Sequence, residues 1–238
     1  GQLQEVAGEG KRFLFRSAAS LLTALAKLPA QPVRAQDMAV YVRERKPGVI
    51  LIGSHVAKTS AQLAYLREHT DVVPVCVDVE QLNVSNTPEW SEHAAKFADT
   101  ILAQIDTAHA RGKTVAIYTS REELQFPSQR ERLAFGERLS AFLMDLVRRL
   151  PESIGFLISK GGITSNDVLS TGLKLKQSRV LGQILIGCSV IRCPSDHERY
   201  PQLPVVIFPG NVGGEAALAQ VYGILTAQRE RQVIYQTA

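Results

Sequence analysis

From Pro47 onward, short apolar runs alternate with longer segments whose apolar residues recur every three or four positions. The short runs 49–52, 72–79, 115–118, 156–159, 180–186 and 205–208 are rich in valine and isoleucine and predict strands. Pro74 places the run 72–79 at a sheet edge, because proline has no N–H for a ladder on both sides. The longer segments 58–69, 91–110, 128–150, 164–173 and 214–227 predict helices. Ala94, Phe97, Ala98, Ile101 and Ile105 fall on one helical face, and so do Phe135, Leu139, Phe142, Leu146 and Leu150 in the segment expected to form the longest helix. Alternation of this kind predicts an α/β fold, a mostly parallel sheet with helices on both faces. Such a sheet binds ligands in the crevice beyond the carboxyl ends of its strands.

Residues 1–34 follow another pattern. They read as a loop and then a helix, capped by Ser17 or Ser20, with Leu21, Leu22, Leu25 and Leu28 as its apolar face and Pro29 and Pro32 as its stop. This lead-in is expected to be the end of a preceding domain, with residues 35–238 forming the main one. The chain begins at Gly1 rather than Met and reads as a fragment.

Composition narrows the function classes. Of 238 residues, 45% are hydrophobic and 21% charged, enough apolar sequence for a folded core. The formal net charge of +4 is carried by interleaved signs, as in Arg130-Glu131-Arg132, which mark solvated helix faces. No basic stripe with interleaved aromatics is present, so no nucleic-acid partner is expected. No apolar run is long enough to span a bilayer and no signal peptide is recognisable, so no membrane partner is expected. Three cysteines, without repeated spacing, argue against a disulfide framework and for a cytoplasmic protein. Cys76, inside an apolar run, reads as a buried thiol. Cys193 and His197, with Cys188 nearby, are spaced to share a metal but lack a clear fourth ligand, so no metal site is expected.

Candidate chemistry lies in three small-residue turns, each following an expected strand. They are Gly53-Ser54, Gly161-Gly162-Ile163-Thr164-Ser165 and Gly210-Asn211-Val212-Gly213-Gly214. Glycine lets a backbone approach an anion closely, and free N–H groups at a helix start point at one. Thr164 and Ser165 add hydroxyls, and Lys160 can supply charge. Any one such turn is ordinary punctuation between strand and helix; three at one sheet edge favour a phosphate-bearing ligand. None matches the phosphate loop of P-loop enzymes. The absence of GxGxxG after the first strand, and of a ribose-binding acid at the expected spacing, disfavours a dinucleotide reductase.

The segment Lys160-Gly161-Gly162-Ile163-Thr164-Ser165-Asn166-Asp167-Val168 resembles the glycine-rich nucleotide motif of the four-carbon acid sugar kinase family. Val180-Leu181-Gly182-Gln183-Ile184-Leu185, Phe208-Pro209-Gly210-Asn211-Val212-Gly213 and the earlier serine turn Leu51-Ile52-Gly53-Ser54-His55-Val56, with Lys58-Thr59 and Gln62-Leu63, resemble further elements in the same order. Lys11 to Ser20 resembles the segment that ends the family's first domain. The resemblance implies ATP-dependent phosphorylation of a four-carbon sugar acid or its oxo form, with magnesium. Ser54, Gly161, Gly162, Ile163, Thr164 and Gly210 would then contact the nucleotide. The aspartate-rich motif of the family's first domain, which holds the sugar acid and supplies the base, is not found here. The chain is therefore expected to be the nucleotide-binding half, inactive alone, with the catalytic residues unknown and a homodimer an open expectation. Many members carry an acidic residue in place of Ile163, a subgroup carrying isoleucine; and Ile186-Gly187-Cys188-Ser189 replaces a proline-containing stretch, which is expected to loosen the loop around Cys188.

The remaining polar residues have plainer readings beside functional ones. Arg16 can meet a substrate carboxylate or phosphate, or lie on the surface. His55 has no carboxylate near it in sequence to complete a catalytic pair. Asp167 can help hold magnesium or complement the dipole of a first helical turn. Trp90 is expected to pack beside a helix start, and His109 and His197 to be exposed. A non-catalytic nucleotide-binding or regulatory module shares the same turns and needs no base.

Overall fold

The computed structural model describes residues 2–16, 19–27, 29–83, 88–121 and 124–227. It divides into two units, Gly1–Gln31 and Pro32–Ala238. The first unit holds two short helices, α1 (Gln2–Gly8) and α2 (Ala19–Ala26). In the segment between them the rings of Phe13 and Phe15 stack 5.8 Å apart. Ser17 and Leu28 lie outside the described residues, and Ser20 lies inside α2 rather than ahead of it.

The second unit opens with a 3-10 helix, Ala35–Tyr41. The chain then runs β1 (Val49–Ile52), α3 (Ala57–His69), β2 (Val73–Val77), α4 (Pro88–Ala110), β3 (Val115–Thr119), α5 (Gln129–Arg149), β4 (Leu157–Lys160) and α6 (Gly162–Asp167). It continues through β5 (Arg179–Leu185), β6 (Cys188–Arg192), β7 (Pro204–Phe208) and α7 (Ala217–Thr226). The described strands form one sheet in the order β2-β3-β1-β4-β7-β6-β5. Neighbours from β2 to β7 are parallel, while β6 runs antiparallel to β7 and β5.

Helices cover both faces, and the alternation of side chains along each strand divides the core accordingly. Val49, Leu51, Val75, Ile117 and Leu157 pack with residues of α4 and α5. Ile50, Ile52, Ala116, Ile158 and Val206 pack with residues of α3 and α7 on the other side. Strands buried on both faces read as unbroken apolar runs, as β1 does.

Local chemistry sets the helix ends. Ser128 Oγ accepts the Glu131 N–H and donates to the Glu131 carboxylate, a capping pair that starts α5. The longest helix is α4, with 23 residues against 21 for α5, because Pro88 supplies a favoured first helical position ahead of the expected start. Trp90 sits in its first turn and donates its indole N–H to the Leu82 carbonyl.

Four further expectations change. Cys76 is exposed: β2 is the edge strand, and its Pro74–Cys76 face is uncovered while Val75 and Val77 are buried. The stretch 186–189 is not loosened. With no proline there, Leu185 pairs with Cys188 in a tight hairpin, Gly187 taking φ +83°, and Cys188 begins the unanticipated strand β6. His109 is half-buried beside the Ser153 hydroxyl, 2.9 Å away, and burial pushes its pKa down. His197 is also half-buried: its Nδ1 accepts the N–H groups of Arg199 and Tyr200, leaving Nε2–H to donate to the Leu173 carbonyl.

The entry into β1 and β4 is fixed by one close approach. A Cβ at Gly48 would stand 2.5 Å from the ring of Phe156, which is fully buried. Gly48→Ala should therefore cost about 1–3 kcal/mol by overpacking. Phe156→Ala should cost about 3–5 kcal/mol by leaving a cavity. Urea unfolding of the four members of this cycle is expected to show a smaller cost for the alanine at 48 when Phe156 is absent. Equal costs in both backgrounds would show that the ring does not impose the glycine.

Candidate functional site

The three turns leave the carboxyl ends of β1, β4 and β7, which are adjacent in the sheet. Gly53 N–H donates to the Lys160 carbonyl at 3.2 Å and Gly161 N–H to the Phe208 carbonyl at 2.8 Å, extending the ladder into the turns. They converge on Ser54: a Cβ at Gly161 would lie 3.3 Å from Ser54 Cβ, and one at Gly210 would lie 3.0 Å from Ser54 Oγ. Thr164 Oγ1 abuts both Gly53 and Gly161. The structure thus brings Ser54, Gly161, Thr164 and Gly210 together, with Gly162 and Ile163 following Gly161 into α6. Arg16 is exposed in the N-terminal unit.

Gly161 takes φ +135°, a conformation that side-chain-bearing residues rarely adopt, and this bend aims the chain from β4 into α6. Gly162 differs, since a Cβ there meets nothing within 4 Å. Ile163 is 80% exposed beside it.

The third turn is held by its carbonyls. Lys160 Nζ donates to the carbonyls of Pro209 at 2.8 Å and Gly210 at 3.0 Å. From α3, Lys58 donates to Asn211 O at 3.2 Å, and Gln62 Nε2 donates to Val212 O and Gly214 O, both at 2.9 Å. Thr59 Oγ1 lies 3.2 Å from both Gly210 O and Ser54 Oγ. Side-chain donors thus occupy the carbonyls of Gly210, Asn211, Val212 and Gly214 in this loop. Among the described residues, the amides of Ser54, Gly162, Ile163, Thr164 and Gly210 have no acceptor. Unpaired amides clustered at one edge are donors suited to an anion such as phosphate.

Lys160 is not poised as an exposed phosphate ligand. Its side chain is fully buried, 4.4 Å from the centre of the Phe208 ring. Burial lowers its pKa to about 8; nearby Cys188 acts upward and the charge of Lys58 downward. It remains predominantly protonated at neutral pH and places a positive charge beneath the third turn. Burial likewise pushes the Cys188 thiol up to about 11.

Asp167 ends α6 rather than opening a helix, because α6 starts at Gly162. Its carboxylate accepts the Ser140 hydroxyl at 2.5 Å and ties α6 to α5. No group of three or more His, Cys, Asp or Glu suited to a metal occurs among the described residues. The side chains that bond to the turns, from Lys58, Thr59, Gln62, Arg121 and Lys160, carry amine, hydroxyl, amide and guanidinium groups. His55 Nε2 lies 3.2 Å from Ser120 O and from Thr119 Oγ1.

Sequence reasoning assigned no role to Lys58, Thr59 or Gln62, and did not single out Arg121. Arg121 follows β3 and donates from Nη1 to the Ser54 carbonyl. A groove of about 770 Å³ between α4 and β2, lined by residues including Val73, Val75 and Arg111, contains no residue of the three turns. No helix among the described residues is long and apolar enough to cross a membrane.

Residues 49–218 match the family described as the nucleotide-binding C-terminal domain. No curated protein matches the chain. The fold is similar to that of a domain of unknown function from Bordetella bronchiseptica, crystallised with bound citrate as a domain-swapped dimer. That match has 15% identity and a TM-score of 0.58, over 77% of this chain and 42% of the other. A protein from Salmonella typhimurium LT2, described as a proposed tRNA synthase, is similar with 20% identity and a TM-score of 0.56, over 88% of this chain and 44% of the other. The chain thus spans less than half the length of the solved structures it resembles.

A Lys160→Met variant tests the buried ammonium. Its folded pKa of about 8 lies below the ordinary 10.5, so between these values the unfolded chain binds more protons and the burial penalty is relieved as pH rises. The unfolding free energy of the native protein minus that of the variant should climb from pH 8 to 10.5, by on the order of 2–3 kcal/mol in total. A flat difference would mean that Lys160 titrates normally.

Proposed function

We propose, starting from the chain's membership of the nucleotide-binding C-terminal domain family, that the edge built by the three turns binds the phosphates of ATP. The observation that carries this reading is the convergence of unpaired amides from three separate turns around Ser54. Ser54, Gly161, Gly162, Ile163, Thr164 and Gly210 line the phosphate seat, with Ser54 and Thr164 adding hydroxyl donors. Lys160 acts through the turn, fixing the carbonyls of Pro209 and Gly210 and lending its charge from below. The described residues of this edge offer no carboxylate cluster to hold magnesium, so the ion would come with the nucleotide, where it would offset phosphate charge.

The ordered motifs extend the reading to a reaction. The chain is the nucleotide-binding half of a kinase that moves the terminal phosphate of ATP onto a hydroxyl of a four-carbon sugar acid or its oxo form. Phosphoryl transfer depends on positioning and charge stabilisation, which fixed amides provide. A separate sugar-acid-binding domain holds the acceptor and supplies the base, and Arg16 belongs to the segment that joins it. A cytoplasmic homodimer is the setting this reading implies.

Calorimetry with ATP, with and without magnesium and against NADH, tests the first step. Gly162→Asp is the informative variant, since its side chain enters open space and leaves the fold intact. The native chain should bind ATP in preference to NADH. The variant should bind it at least about tenfold more weakly, through repulsion of like charges, with unchanged thermal stability. Absence of ATP binding, or equal binding by the variant, would reject the assignment.

A further inference from the structure

We propose that Arg121 is an anion-binding group at this edge, its Nε–H and Nη2–H fork taking the paired oxygens of a phosphate or carboxylate on the ligand held beside Ser54. The proposal rests on the three-turn edge being a ligand site. Arg121 lies two residues past β3, which neighbours β1 in the sheet, and this places its guanidinium at the Ser54 carbonyl. One nitrogen, Nη1, meets that carbonyl. The other two, Nε and Nη2, are buried and have no hydrogen-bond partner among the described residues. These two N–H groups form the side of a guanidinium that matches two oxygens of one anion.

Among the described residues no acidic side chain pairs with Arg121. Among the described residues the groups that interact electrostatically with Arg121 are Cys76 and Tyr118, and partial desolvation raises the pKa of both, keeping them neutral at pH 7. Asp78 reaches Cys76 electrostatically, but its oxygens accept the Glu80 N–H and the Gln81 amide. A second cation, Arg67, lies 5.8 Å from the centre of the Tyr118 ring. A guanidinium held away from water with two idle donors is costly unless an anion completes it. Supporting the Ser54 carbonyl needs one donor, so a purely structural role leaves the fork unexplained.

The test compares native chain, Arg121→Met and Arg121→Lys by calorimetry with ATP, adenosine, tripolyphosphate and L-tartrate, with melting temperatures for each protein. Arg121→Met should weaken ATP and tripolyphosphate by about 10- to 100-fold, leave adenosine unchanged, and melt no lower than the native chain. Arg121→Lys, which keeps a charge and one donor but not the fork, should fall between. Loss confined to tartrate would assign the fork to a carboxylate and also support the proposal. Equal weakening of ATP and adenosine with a lowered melting temperature would show a structural role and overturn it. So would undiminished binding of every anion by the variants, or no anion binding by the native chain. Failure of the native chain to bind ATP, with tripolyphosphate or tartrate still bound, would reject the nucleotide reading alone, and the variants would still decide the role of Arg121.

Discussion

A buried ammonium must find acceptors, and Lys160 finds them in the carbonyls of Pro209 and Gly210. That interaction joins the last residue of β4 to the turn after β7, so two of the three turns cannot move independently. Gln62, Thr59 and Lys58 complete the restraint from α3, the helix that follows the first turn. With its carbonyls committed to side chains, the loop keeps amides without acceptors. A glycine loop lacking these donors would be free to turn either its carbonyls or its amides toward a ligand. Fixing that choice in advance removes a reorganisation cost from binding.

Topology does the rest. The turns at positions 53, 161 and 210 are far apart in sequence, yet β1, β4 and β7 lie side by side. The parallel crossovers send each strand's carboxyl end to one edge. The antiparallel hairpin of β5 and β6 extends the sheet beyond β7, so β7 and its turn lie inside the sheet rather than at its rim. Edge strand β2 closes the other side, where Pro74 removes a donor from the free edge.

Much of this was legible in the sequence, for physical reasons. Strands buried on both faces must be continuously apolar, so residues 49–52 and 205–208 announced themselves, and the glycine turns followed. Burial on one side only was not legible. Residues 72–79 are as valine-rich as a central strand, and nothing in the run says that the face of Cys76 lacks a covering helix. Strand β6 was hidden because a two-residue hairpin at Ile186-Gly187 resembles a loop in a list of residues. The direction in which Lys160 points depends on Phe208 and the Pro209 carbonyl, 48 or more residues away along the chain. Arg121 stands in the charged stretch Arg121-Glu122-Glu123, which has the composition of an ordinary surface loop. Only the adjacency of β3 and β1 gives it significance.

Whether unpaired amides from three turns bind a nucleotide's phosphates can be read from residue-resolved amide NMR during a magnesium–ATP titration. The signals of Ser54, Gly162, Ile163, Thr164 and Gly210 should shift together with a single affinity, while those lining the groove at Val73 and Arg111 stay in place. Shifts centred on that groove, with the turn amides unmoved, would place the nucleotide elsewhere and overturn the phosphate seat at the turns.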